Sequence, residues 1–156
     1  MFPENVREYM KNSKIPIRLS FQSESGWPMI ISLWYDFHDD KIFLATPQSS
    51  KVVNYLLKSP RCAFEVSNED PPYCGVRGQA KVEINEKTGL STLQQLLDKY
   101  LPEGRESAFG KRLLNRKMKE VAIILKPLNF FMWNFKDRMQ DSINGSKKEP
   151  LCPEAS

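Results

Sequence analysis

From residue 15 the chain alternates, with apolar Ile15, Ile17, Leu19 and Phe21 flanking polar Arg18, Ser20 and Gln22. A period of two is that of a strand with one buried face. Ser23, Glu24, Ser25 and Gly26 supply turn chemistry, and residues 27–37 read as a second strand, so the two form a hairpin. Asp39 and Asp40 turn the chain into a third strand over 41–46, which Pro47 stops. Further strands are predicted over 61–67 and 73–86. In the latter, Cys74, Val76, Gly78, Ala80, Val82 and Ile84 face one way and Arg77, Gln79, Lys81 and Glu83 the other. Gly78 and Ala80 imply a sharp bend or a close backbone neighbour. Residues 121–125 and 129–135 read as two more strands, broken by Pro127.

Helical spacing appears over 3–11, where Pro3 suits a first turn, and over 51–57, where Val52, Val53, Leu56 and Leu57 recur. Ser49 and Ser50 precede the second of these as N-cap candidates, because a serine oxygen accepts an amide that the helix leaves unpaired. Residues 88–100 and 107–118 are predicted as later helices. Short strands linked by hairpins suggest a small antiparallel β-barrel with flanking helices, mostly β or α+β in class. A doubly wound sheet is disfavoured, since tight turns leave no room for crossovers. The domain is expected to span 1–136, with the polar stretch 137–156 as a mobile tail.

Composition narrows the chemistry. The chain has 156 residues, 40% hydrophobic and 27% charged, as in an ordinary single soluble domain. No apolar run is long enough to span a bilayer and no secretory leader is evident, so a cytoplasmic location and no membrane partner are expected. The net charge of +4 is modest. Much of it comes from Lys111, Arg112, Arg116, Lys117 and Lys119, a run read as a solvated helix face. Three cysteines without Cys-x-x-Cys spacing, and the single histidine His38, support neither a metal site nor a disulfide framework. They do not support a His-dependent nucleophilic machine either, because His38 falls in a predicted hairpin turn. Cys74 is read as a small buried hydrophobe rather than a redox thiol.

From Leu19 to Ile84 the order of signals resembles the pyridoxamine 5′-phosphate oxidase-like family of flavin-binding split barrels. Gly26-Trp27-Pro28 comes first, then Leu33-Trp34-Tyr35 and 39–46, leading into Ser49-Ser50-Lys51-Val52-Val53-Asn54. Ser59-Pro60-Arg61-Cys62-Ala63-Phe64-Glu65-Val66 and Val76-Arg77-Gly78-Gln79-Ala80-Lys81-Val82 complete the set. The resemblance implies a homodimer with flavin mononucleotide (FMN) at the subunit interface. By position it makes Ser32, Leu33 and Trp34 candidate ring contacts, and Thr46, Ser49, Ser50 and Lys51 candidate phosphate contacts. Many family members carry arginine where this chain has Ser50, so a second cation must come from elsewhere. Arg77 and Arg18 are the candidates. Trp34, on the less apolar face of its strand, suits either a ligand contact or a core position.

Elementary electrostatics also favour an anion at Ser49 to Lys51. A helix start offers free amides and about half a positive charge, and the hydroxyls and ammonium add donors. The functional expectation is an FMN-dependent oxidoreductase acting on an unknown small molecule, distinct from the vitamin oxidase itself, with a deazaflavin as the alternative cofactor. Such chemistry needs no catalytic His or Cys from the protein. Other readings are a haem-binding split barrel and a non-catalytic module for single-stranded nucleic acid. Basic and aromatic residues are not interleaved on one strand face, which weighs against the last.

Overall fold

The computed structural model describes residues 2–142 and 151–153. Its strands are β1 (Ile17–Gln22), β2 (Pro28–Leu33), β3 (Asp36–His38), β4 (Lys41–Pro47), β5 (Arg61–Ser67), β6 (Cys74–Asn85) and β7 (Glu120–Asn134). They form one seven-stranded sheet in the order β2-β1-β5-β6-β7-β4-β3. Every pairing is antiparallel. The two outer strands of that order, β2 and β3, are consecutive halves of one chain segment. The curled sheet is therefore joined at this point by the backbone of Trp34 and Tyr35 and not by a ladder, which makes it a split barrel.

Alternation fills the interior as expected. Ile17, Leu19, Ile42, Leu44, Val66, Val76, Ile123 and Leu125 are fully buried. Helix α1 (Glu4–Asn12) buries Val6, Tyr9 and Met10 against this core, and α2 (Lys51–Lys58) buries Val52, Val53 and Leu56. Tyr35 ties α1 to the barrel, its hydroxyl donating to the Met10 carbonyl at 2.8 Å. Helix α3 (Gly89–Tyr100) packs outside on β4 and β7, and α4 (Ala108–Asn115) sits beyond it. Gly89 is what lets α3 approach so closely: a Cβ there would lie 2.1 Å from the carbonyl oxygen of Glu120.

Two strand expectations are corrected. The predicted strand 27–37 is interrupted after Leu33, because its first half pairs with β1 and its second with β4. Conversely, Pro127 does not break the last strand. Ala80 lies opposite Pro127 and Gln79 opposite Asn129, so Leu128 is accommodated in a bulge and β7 runs on.

The cysteine reading is also corrected. Cys74 is buried, but it is bonded to Cys152 with a Cα–Cα distance of 5.6 Å across a sequence separation of 78. Residues 151–153 lie at the start of β6, where the Asn134 side-chain amide also donates to the Pro153 carbonyl at 3.1 Å. Of the expected tail, 137–142 form two 3-10 turns separated by a kink at Met139 and 151–153 lie at this junction, while 143–150 and 154–156 fall outside the described residues.

Candidate functional site

Where β4 gives way to α2, four residues build a turn with few internal demands. The Ser50 amide donates to the Pro47 carbonyl at 2.9 Å, and the Gln48 amide to the Lys119 carbonyl at 2.8 Å. Ser50 occupies the N-cap position, yet its side chain caps no amide; its hydroxyl instead accepts from Thr46 Oγ1 at 3.3 Å. No acidic residue stands in the first turn, which begins with Lys51. The positive end of the helix is thus left uncompensated by its own side chains.

Beside this entrance lies a cavity of about 400 Å³ lined by Gln48, Ser49, Lys117, Met118 and Lys119, so that of the four phosphate candidates Ser49 alone lines it. Two lysines from the segment before β7 therefore meet the turn that precedes α2. Their placement has a structural cause. Glu120 is buried and accepts from Arg116 Nε at 3.0 Å, which straps the connection between α4 and β7. Lys119 is engaged with Glu86, whose other oxygen accepts from Gln48 Nε2 at 3.1 Å. Lys117 is exposed and forms no ion pair among the described residues. Sequence reasoning treated the run from Lys111 to Lys119 as a solvated face and missed this juxtaposition. Only the tertiary contact at Gln48 reveals it.

The remaining candidates are dispersed. Thr46 is buried and Ser49 and Lys51 are exposed at the entrance. Ser32 is exposed on the outer face of β2, opposite Arg18, whereas Leu33 packs against the core. Trp34 stacks on Tyr100 with centroids 4.9 Å apart and meets the edge of Phe109 at 6.3 Å, so the chain itself supplies its aromatic partners. Arg77 lies across the sheet, in a separate cavity of about 570 Å³ that shares no lining residue with the α2 entrance. Arg18 lines that same cavity but is engaged with Glu69 at 3.1 Å and Ser67 at 3.0 Å. One chain thus brings the phosphate candidates together and leaves the ring candidates and Arg77 apart.

Groups that commonly do acid–base work make contacts within the fold. His38 stacks on Phe43 with centroids 3.9 Å apart and contacts Asp36 at 3.3 Å. Burial pushes the Cys62 thiol up to about 12, so it stays protonated. Lys99 is enclosed over the Tyr35 ring at 4.4 Å, and burial lowers its pKa despite Asp36 at 3.7 Å.

No protein-family model matches the chain, and no curated protein matches it by sequence. Solved structures do. The conserved hypothetical protein Rv2991 from Mycobacterium tuberculosis superposes with a TM-score of 0.73 at 21% identity, over 96% of this chain and 93% of that one. An F420 reductase gives 0.66 at 19% identity, over 83% and 98% of the two chains. A Listeria innocua protein, named provisionally as a pyridoxamine 5′-phosphate oxidase, gives 0.61 at 9% identity, over 81% and 93%. The split-barrel fold that the resemblance of residues 19–84 implied is therefore the fold observed, and this chain shares it with these structures.

Proposed function

We propose that the protein is a flavin-dependent oxidoreductase whose cofactor, FMN or a phosphate-bearing deazaflavin, is anchored by its phosphate at the start of α2. The observation that carries this reading is the helix entrance without a side-chain cap, where Lys51 opens α2 and the preceding Ser49 shares a cavity with Lys117 and Lys119. The donor set suits a phosphate. Backbone amides and hydroxyls supply directional bonds, and ammonium groups supply charge in place of the arginine that family members carry at the position of Ser50. Lys117 takes the role of second cation for which the sequence offered Arg77 and Arg18, while Lys119 is already shared with Glu86.

When bound, the isoalloxazine or its deaza analogue supplies the hydride or electron chemistry. The chain's own residues bind and orient it. Thr46 holds the Ser50 hydroxyl, which leaves the Lys51 and Val52 amides without a side-chain cap, the Val53 amide already donating to the Ser50 carbonyl. The Arg116–Glu120 strap keeps Lys117 in position beside Ser49. Ser32 and Trp34 stay as proposed ring contacts. The exposed apolar side chain of Trp27, just before β2, fits a homodimer in which a second subunit completes the ring site.

Titrating the purified protein with FMN, followed by flavin fluorescence, tests the reading. Binding at micromolar or tighter concentration is expected. Lys51→Ala should weaken it about tenfold or more without changing the thermal midpoint, since one charge-assisted contact contributes roughly 1.5–3 kcal/mol. Equal affinity in the variant removes Lys51 from the site.

A further inference from the structure

The outer face of the sheet carries a cross-strand row that the α2 site does not use. In register, Arg18 lies opposite Glu65, Glu65 opposite Arg77, and Arg77 opposite Phe131. Alternating residues of this face line the cavity of about 570 Å³, with small Ser20 and Ala63 on its floor and Ile30, Phe130 and Phe131 as apolar walls. The charges on this row are unevenly compensated. Glu65 accepts from Ser67 at 2.9 Å and faces Arg18 at 3.7 Å, so the acid nearest Arg77 is turned toward the other arginine. Among the described residues, Arg77 makes no ion pair or side-chain hydrogen bond. Its guanidinium instead lies 5.0 Å from the Phe131 ring centroid and 5.6 Å from that of Trp133.

A guanidinium held by ring faces keeps its N–H edge free, and that edge matches a carboxylate with two parallel bonds. With Arg18 and Glu65 cancelling, the cavity holds one net positive charge beside an apolar wall. We infer that this cavity binds a planar aromatic monoanion, with its carboxylate on Arg77 and its ring against Phe131 and Ile30. The inference rests on the proposed function only in making this ligand the substrate of the flavin activity; the binding site stands on its own geometry. Arg77 is then a substrate-recognition residue and not the second phosphate cation.

The test compares 2-naphthoate with its neutral isostere 2-naphthamide, followed by quenching of tryptophan fluorescence on the full chain without cofactor. Naphthoate should bind at least tenfold more tightly. Arg77→Gln should erase the difference, and Arg77→Lys should restore only part of it, because an ammonium lacks the fork. Arg77 is exposed, so an unchanged thermal midpoint in each variant separates lost recognition from lost folding. A second titration uses protein saturated with FMN, where naphthoate affinity should persist. Equal binding of acid and amide, an unaltered preference in Arg77→Gln, or displacement of naphthoate by FMN overturns the inference. Failure of FMN to bind would instead remove the proposed function and leave the naphthoate result standing.

Discussion

The bond between Cys74 and Cys152 gives the most quantitative expectation of the fold. Closing a loop across a sequence separation of 78 removes chain entropy from the unfolded state. The loop-closure relation gives about 15 cal/mol/K, or about 4.5 kcal/mol at room temperature, as the ceiling of its contribution. Measured values for disulfides fall lower, at about 2–4 kcal/mol, and that is the range expected here. Cys152→Ser is the suitable perturbation, because Cys74 is fully buried and a serine there would add the cost of burying a hydroxyl. Denaturant unfolding of wild type with and without a dithiol reductant, beside the variant, reads the effect. Reduced wild type and Cys152→Ser should share a lowered midpoint, and the variant should be insensitive to reductant. Thiol titration in denaturant supplies the control. Only Cys62 is free among the three cysteines, so one thiol should react before reduction and three after. Three reactive thiols before reduction, or a midpoint indifferent to reductant, would refute the reasoning.

Other expectations concern packing and charge. Gly89→Ala would drive a methyl group into the Glu120 carbonyl and should cost at least about 1–3 kcal/mol by denaturant unfolding, in the range of overpacked cores; a neutral result would mean that α3 does not approach β7 as described. Burial disfavours the Lys99 ammonium, but Lys99→Met alone strips Asp36 of a cation 3.7 Å away, so the double variant Lys99→Met, Asp36→Asn is the one that should leave stability at neutral pH unchanged or raised. The sign on the alkaline side follows from linkage. The folded pKa lies below the usual 10.5, so the unfolded chain binds more protons between the two values, and stability should rise with pH across that window. Unfolding measured against pH should show that Lys99→Met removes this rise; an unchanged slope assigns it elsewhere. Glu120→Ala should free the connection that carries Lys117 and weaken FMN binding along with stability, whereas Lys117→Ala should weaken binding alone, as paired titrations and melts would show.

Much of the barrel was legible because its strands follow a strict rule. Ile17, Leu19 and Phe21 alternate with Arg18, Ser20 and Gln22, and all three apolar residues are buried. Periodicity cannot report which neighbour a strand pairs with, so the division of 27–37 between two partners escaped it. It also overweighted Pro127, whose missing amide proton is absorbed by the bulge at Leu128. The candidate site is legible where it is local. Thr46, Ser49, Ser50 and Lys51 come together because they are nearly consecutive. What depends on tertiary contact was hidden: Lys117 reaches the α2 entrance only because the Gln48 amide binds the Lys119 carbonyl. Cys74 met Cys152 for a similar reason, through a polar segment that carries no periodic signal.

The central claim is that a phosphate is held at the start of α2. Parallel titrations with FMN and riboflavin, which share the ring and differ in the phosphate, address it directly. FMN should bind at least tenfold more tightly than riboflavin, with that preference weakened by inorganic phosphate and lost in a Lys51→Ala, Lys117→Ala double variant. Equal affinity for the two flavins, or a preference untouched by both substitutions, would contradict it.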